Sequence, residues 1–483
     1  MLRRLVAAGL LALAGFTVVS AESEFIRGDA NTDGLRDLAD AIYSLDHLFG
    51  DGPAVCRDAM DVNDDGELDV ADPIYLIMYL FVGATPPAEP TSWCGVDPTS
   101  DALDCASNLT CDLGGPIEGL SDIELTAFNR GRDVMFHRFK PSEGLGPLYN
   151  ATSCFSCHST PEVGGSAPIY RNFYLVGIGE PGLQTGIPGL PSMVLPSYHD
   201  LSLERPTVPT GLPDPIVMAH RNAPPMFGTG LFEFVSNATI LSKADPNDVV
   251  TPDGISGRFN TDGLGHVGRL GYKLQANFIE AFIRGALRNQ MGITTDPVDG
   301  SSGTVSLSAM LQVSSSLDDP TTDTDASPDP EMSVEDLADL ITFCRFLRPP
   351  TKKPFGPDEI AGEQLFDSIG CALCHVPSIA SSVGTLEAYT DLLLHDMGAA
   401  NADGLSMGVP QFSTITPPTT ENEFRTQPLW GVSMHAPYLH DGGADTLFDA
   451  INRHGGEAEG SRQAYLALPA ADQEAIIKFL EAL

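Results

Sequence analysis

Basic residues are scarce in this chain. Lysine and arginine number 26 against 65 aspartates and glutamates, a formal net charge of -39 over 483 residues. Binding to nucleic acid is excluded on that ground, because phosphates would repel such a chain. Apolar runs long enough to cross a bilayer are missing beyond the N-terminus, so the mature chain has no transmembrane anchor. The apolar stretch Leu5 to Val19 follows Arg3 and Arg4 and ends in Val19-Ser20-Ala21. That is the pattern of a secretory signal with a small-residue cleavage site. Residues 1–21 are expected to be a signal peptide, and the remainder to be exported to the periplasm or the extracellular face. Disulfides persist there.

Cysteine is sparse too, with nine in all, and four of them stand in two pentads. These are Cys154-Phe155-Ser156-Cys157-His158 and Cys371-Ala372-Leu373-Cys374-His375. The pattern is that of c-type haem attachment. Each cysteine pair would hold one haem through thioethers, and the adjacent histidine, His158 or His375, would reach the iron. A single copy would also suit a zinc half-site or a redox dithiol. Two copies, each with histidine directly after the second cysteine, select two covalently bound haem c groups. Cys56, Cys94, Cys105 and Cys111 then remain for two disulfides. Three pairings exist, and Cys105–Cys111 with Cys56–Cys94 is the expected one. Cys344, in an apolar helical run, is expected to be buried.

Residues 29–40 and 61–72 repeat one acidic pattern 32 residues apart. The first places Asp29, Asn31, Asp33, Asp37 and Asp40 at loop positions 1, 3, 5, 9 and 12. The second places Asp61, Asn63, Asp65, Asp69 and Asp72 there. Glycine stands at position 6 of each, and an apolar helical run follows. Hard oxygen ligands at this EF-hand spacing suit Ca2+. The pair resembles a dockerin-type duplicated calcium module, which implies tethering to a cohesin-like partner. The module is expected over 22–95, followed by a linker over 96–118 rich in Pro, Gly, Asp and Cys.

The rest is expected to be mainly α, as two cytochrome c-like haem domains over 119–350 and 351–483. In the second, helices are predicted over Pro357–Ile369 and Pro469–Leu483, with apolar residues at helical spacing, and Gly362 would let them approach closely. In the first, helices are predicted over Ser121–Phe136, opened by a Ser121/Glu124 capping box, and over Ser333–Leu347, stopped by Pro349-Pro350. Between Cys157 and the latter lies a long insertion, suited to building a pocket over the first haem. Its end, 300–331, reads as an exposed loop.

Several segments sharpen this picture. They are Gly144-Leu145-Gly146-Pro147-Leu148-Tyr149-Asn150, Arg221-Asn222-Ala223-Pro224-Pro225-Met226-Phe227-Gly228-Thr229-Gly230-Leu231, Arg425-Thr426-Gln427-Pro428-Leu429-Trp430 and Ala436-Pro437-Tyr438-Leu439-His440-Asp441-Gly442. With the haem motifs, they make the chain from about residue 120 resemble the peroxidase-type di-haem oxidoreductase family. That family is akin to bacterial di-haem cytochrome c peroxidases and to the enzyme that matures methylamine dehydrogenase. The resemblance implies a sixth ligand to the second haem fourteen positions after His440, which is His454. Relatives use Met or Tyr there. Met397, Met407 and Met434 are rival ligands, and His440 is the alternative lining residue between the haems. For the first haem, His199, His220, Met218 and Met226 are candidates to close the distal face. Relatives carry a distal carboxylate where this chain has Gln290, in Asn289-Gln290-Met291-Gly292. Gln cannot take a proton as Glu can, and Glu233 is the nearby acid that would replace it. Trp430 is placed either on an inter-haem path or in the packing.

The implied function is an exported di-haem c-type cytochrome oxidoreductase. A bis-His haem would pass electrons to a substrate-reactive haem, with Glu233, Gln290 and His440 as candidate catalytic residues. A small cytochrome or cupredoxin would be the donor, and hydrogen peroxide or a small organic molecule the substrate. The alternatives are an electron carrier without peroxidase activity, an oxidase of a protein or organic substrate, and a scaffold whose main work is calcium-dependent attachment.

Overall fold

The computed structural model describes residues 24–483 except 33–35, 51, 92, 93, 100, 106–110, 112, 180–193, 201–214, 250–253, 262–265, 299–322, 324, 326 and 406–418. The expected signal peptide, Asp33, Met407 and most of the 300–331 loop lie outside the described residues. The chain forms two compact units, Met1–Cys111 and Asp112–Leu483. Among the described residues, no helix is long and apolar enough to cross a membrane.

The first unit is built on α1 (Leu38–Phe49), the short α2 (Arg57–Met60) and α3 (Ala71–Val82). The acidic loops run directly into α1 and α3. Asp37 caps α1 through the Ala39 amide, and Asp40 reaches back to the Asp37 amide at 2.8 Å. Asp40 also accepts from the Asn31 amide. In the second loop Asp72 takes the Val62 and Asp69 amides, while Asp61 takes those of Asp65 and Gly66. Thr32 and Asp64, both at loop position 4, have positive φ, as does Gly66 at position 6. The two loops therefore share a coiled backbone that needs left-handed residues at fixed places. Arg27, fully buried, lies 2.9 Å from both Asp64 and Asp97.

The disulfides differ from expectation: they join Cys56 to Cys105 and Cys94 to Cys111. The reason is an antiparallel bridge that lays Cys56 beside Cys105. Sequence proximity had favoured the short Cys105–Cys111 loop. Consequently residues 96–111 belong to this unit, where a linker was expected.

The second unit contains two crossed helix pairs. Its helices are α4 (Asp122–Phe136), α5 (Asn237–Leu241), α6 (Ile279–Ala286), α7 (Val334–Phe346), α8 (Pro357–Ser368), α9 (Leu447–Asn452), α10 (Glu459–Ala467) and α11 (Ala470–Glu481). The Ser121/Glu124 box opens α4 as expected. Helix α4 crosses α7 at Gly131, where a Cβ would strike the Asp339 carbonyl and Phe343. Phe128 meets Phe343 at 4.9 Å beside the crossing. Helix α8 crosses α11 in the same way: Gly362 faces the Ala475 carbonyl and Phe479, and Phe366 meets Phe479 at 5.3 Å. Gly362 had been read as a close-approach site; Gly131 is its counterpart.

Among the described residues, four small antiparallel sheets accompany the helices. Strand β1 (Leu148–Tyr149) pairs with β4 (Tyr198–His199), and β2 (Phe173–Ile178) lies between β3 (Val194–Leu195) and β5 (Ile216–Arg221). Strand β6 (Ile379–Ser381) pairs with β7 (Gly384–Leu386), and β8 (Leu394–Asp396) with β9 (Glu423–Arg425). A shared apolar cluster joins Leu231, Phe232, Val235 and Ile240 to Leu386, Leu392, Leu393 and Trp430. Trp430 stacks on Phe232, with centroids 5.4 Å apart and planes 8° from parallel. The two helix pairs are thus packed into one unit rather than strung as separate bodies.

Gly131→Ala and Gly362→Ala are each expected to destabilise the fold by about 1–3 kcal/mol through overpacking at a crossing. In α10, Gly460→Ala meets nothing within 4 Å and should instead stabilise by about 0.5–1 kcal/mol. Denaturant midpoints of the three variants check this.

Candidate haem centres

Both pentads fold as a single tight turn, Cys154–Ser156 and Cys371–Leu373. The His158 amide donates to the Cys154 carbonyl at 3.1 Å, and the His375 amide to the Cys371 carbonyl at 3.0 Å. Each turn therefore gathers two sulfurs and one imidazole locally. The rings are oriented from outside the turn. His158 Nδ1 lies 3.0 Å from the Gly165 carbonyl, and His375 Nδ1 lies 3.0 Å from that of Tyr389. A carbonyl oxygen can only accept, so Nδ1 carries the proton and Nε2 keeps its lone pair for a metal. Burial pushes both imidazoles down, that of His375 to about 4 with His454 as the second cause. Both are neutral at physiological pH.

His454 follows α9, where Arg453 is the C-cap. Its Nδ1 lies 2.8 Å from the Ala450 carbonyl one turn back. The His454 and His375 rings are neighbours, with centroids 6.5 Å apart and planes inclined by 50°. Metal–imidazole bonds are about 2 Å long, with each centroid roughly 1 Å behind the nitrogen, so one iron between two such rings needs a separation of about 6 Å. The pair fits. Both rings open on a deep, mainly apolar cavity lined also by Cys371, Cys374, Met397 and His440. A planar apolar macrocycle suits such a lining. No imidazole lies against the His158 ring at a comparable separation among the described residues.

His440 sits elsewhere on the cavity wall. It stacks on Phe424 at 4.0 Å, and the Lys273 ammonium lies 3.7 Å from the same Phe424 ring. Burial, then the Arg221 guanidinium, hold His440 down to about 4. The Asn222 amide donates to the His440 carbonyl at 2.9 Å. Ser166 donates to the Asn222 side chain at 3.0 Å, and Ser166 adjoins Gly165, the acceptor for His158. One continuous bonded chain therefore runs from the His158 ring to the wall of the second centre.

The remaining candidates are dispersed. Glu233 accepts from Arg345 at 2.6 Å and from the Ile279 amide at the start of α6. Both of its oxygens are engaged in holding α6 and α7. Gln290 lies in a single π turn, Leu287–Met291, that continues α6; such turns recur at functional sites. Its side-chain oxygen accepts from Asn150 at 3.0 Å, and its carbonyl accepts from the Asn150 amide. His199 is in β4, and His220 stacks on Tyr174 at 4.7 Å. Met218 is exposed, whereas Met226 and Met434 pack against the core that also receives Cys154 and Cys157.

His395 was not anticipated. Its Nε2 lies 2.9 Å from Asp391 and its Nδ1 2.8 Å from Glu457. Burial opposes protonation, but Asp391, Cys374 and Glu457 outweigh it and hold His395 well above the usual imidazole range. The His395 ring, held between two carboxylates, stands 3.6 Å from Cys374 Sγ. Its sole sequence signal was an aspartate four residues upstream.

Residues 207–483, more than half of the chain, match the family described as "Di-haem oxidoreductase, putative peroxidase". The chain belongs to that family. It is accordingly an oxidoreductase enzyme with haem as its cofactor. Among solved structures it is similar to Kuenenia stuttgartiensis hydrazine synthase (15% identity, 83% of this chain and 100% of that one, TM-score 0.32). It is also similar to a MauG-like protein associated with microbial copper homeostasis (17% identity, 53% of this chain and 86% of that one, TM-score 0.26). No curated protein matches the chain.

His454→Ala is expected to convert one low-spin ferric signal of the oxidised protein to high-spin, while haem content stays unchanged. Electron paramagnetic resonance alongside a haem assay checks it. Retention of the original spectrum would rule His454 out as a ligand.

Proposed function

We propose that this chain is an exported di-haem c-type oxidoreductase of peroxidase type. Cys371, Cys374, His375 and His454 would hold an electron-relay haem, and Cys154, Cys157 and His158 a substrate-facing one. The observation that carries this reading is the asymmetry of the imidazoles: His375 has a neighbouring imidazole in His454, and among the described residues His158 has none. Bound haem would supply one-electron redox chemistry and, at an open coordination position, a seat for a peroxide oxygen.

The chain's own residues divide the remaining work. The Gly165, Tyr389 and Ala450 carbonyls hold the three ring protons and thereby aim the three Nε2 atoms. Ser166 and Asn222 connect the Gly165 strap to the His440 segment and fix the spacing of the two centres. The apolar lining of the second cavity excludes water and keeps His375 neutral. Gln290, tied to Asn150, would position a small substrate near the first centre but cannot accept its proton. His440, kept neutral by burial and the Arg221 guanidinium, would line the cavity of the second centre, and Glu233 would act by positioning α6. A small cytochrome or cupredoxin would be the donor, and hydrogen peroxide the substrate.

In the N-terminal unit, Asp29, Asn31, Asp33, Asp37, Asp40, Asp61, Asn63, Asp65, Asp69 and Asp72 would hold Ca2+. That unit would tether the enzyme through a cohesin-like partner. The coiled loops, with positive φ at matching positions, support this reading. A second reading, oxidation of a protein or small organic substrate, is favoured by the amide at Gln290.

The oxidised protein is expected to give one high-spin and one low-spin ferric signal and to turn over peroxide with a reduced donor. Two low-spin signals that persist on partial reduction, with no turnover, would replace the enzyme reading by an electron carrier. Gln290→Glu is expected to raise peroxide turnover about a hundredfold, the low end of what a proton-transferring side chain contributes. An unchanged rate with peroxide, and product from an organic substrate, would favour the second reading.

A further inference from the structure

The N-terminal unit carries a buried carboxylate that neither acidic loop uses. Asp58, the second residue of α2, is 7% exposed. Its Oδ1 has no hydrogen-bond partner among the described residues. Its Oδ2 meets Cys105 Sγ at 3.7 Å, and that sulfur is in the Cys56–Cys105 disulfide and has no hydrogen to give. A buried carboxylate without a donor costs several kcal/mol in order of magnitude, so something is missing from its surroundings. What it faces is more negative charge: Asp58, Asp97 and Asp101 each bring an oxygen within 4.8 Å of the others. Arg27 pairs with Asp64 and Asp97 and touches Asp58 through the backbone carbonyl. Its positive charge thus stands among four carboxylates. Burial, followed by Asp97 and Asp101, pushes the Asp58 carboxyl up to about 6.

We propose that Asp58, Asp97 and Asp101 form a third divalent-cation site, one that takes Ca2+, separate from the two repeat loops. Three carboxylates converging on one point are the hard-oxygen set such an ion takes. The local chain agrees with the assignment. Asp97, Thr99 and Asp101 alternate along one turn, with the Thr99 amide on Asp97 and the Leu103 amide on Asp101. Thr99 also donates to Asp64 of the second loop, so the site adjoins that loop without sharing its Asp61, Asp65 or Asp72. The Cys56–Cys105 disulfide flanks it: Cys56 caps the helix that carries Asp58, and Cys105 ends the stretch that carries Asp97 and Asp101. The disulfide would hold the two ligand segments together, and the ion would in turn hold them if the disulfide were opened.

The experiment titrates Ca2+ alone into the chelator-stripped, full-length, haem-loaded protein by calorimetry. Wild type is compared with Asp101→Asn, an exposed position, and with Asp72→Asn in the second loop. Asp101→Asn is expected to weaken one binding step about tenfold or more, as the loss of one charged ligand does, and to leave the others unchanged. Asp72→Asn should weaken a different step. The comparison is between variants because other acidic groups, such as Asp323, Asp329 and Glu331, could add steps of their own. If the loops bound nothing, the step sensitive to Asp101 would still be present, so failure of the loop assignment is distinguishable. A second readout is reduction of Cys56–Cys105 by dithiothreitol, which Ca2+ should slow in wild type and not in Asp101→Asn. Identical titrations of wild type and Asp101→Asn, or equal reduction rates with and without Ca2+, would overturn the proposal.

Discussion

Three hydrogen bonds from imidazole Nδ1–H to a backbone carbonyl govern the second unit. A histidine beside a cysteine pair is free to rotate, and either ring nitrogen could carry its proton. The Gly165, Tyr389 and Ala450 carbonyls remove that freedom for His158, His375 and His454. The first two acceptors lie outside the pentad turns, so the rings are only as well placed as the segments that return to meet them. Gly165 returns through the turn 158–166, and Tyr389 through the segment behind β7. The third acceptor is supplied within α9 itself, and the placement of His454 therefore depends on how α9 packs. The orientation of these rings is a property of the tertiary fold, although each pentad is only five residues long.

The crossed helices make that tertiary fold possible. At Gly131 and Gly362 the absent side chain lets one helix reach the backbone of another, and the aromatic rings of Phe343 and Phe479 fill the space beside each crossing. Each haem turn follows one member of such a pair, so close approach sets how deep the turn sits. The two pairs are then tied by the Phe232–Trp430 stack and by Ser166 and Asn222. Trp430 belongs to the packing between halves, which also fixes the relation between the two centres.

What was legible in the sequence was local. The haem pentads, the Ser121/Glu124 box and the glycine at the second crossing all act within a few residues, where pattern and geometry coincide. What was not legible depends on distant partners. The Cys56–Cys105 pairing follows from a backbone bridge across 49 residues. Glu233 looked like a free acid because Arg345, 112 residues away, carries no mark of being its partner. His395 and Asp58 belong to the same class. Each is an ordinary residue in its own neighbourhood, and its chemistry comes from carboxylates that folding brings to it. The Gln290 substitution lies between these cases: its identity was plain, and the π turn that presents it was not.

The shortage of basic residues takes on a structural meaning here. Arg27, Arg284, Arg345 and Lys273 are all almost wholly buried, Arg27 and Arg345 in ion pairs and Lys273 against the Thr420 and Glu421 carbonyls. Arg221 likewise is buried against Asp403. Several of the 26 cations therefore neutralise internal carboxylates and contribute little at the surface. The exposed charge is more one-sided than composition alone implies. Such a field accelerates encounter with a basic redox partner and repels acidic ones, and it does so over about a Debye length. The same excess leaves the carboxylates of the N-terminal unit repelling one another, with the buried Arg27 pairing to only two of them, Asp64 and Asp97.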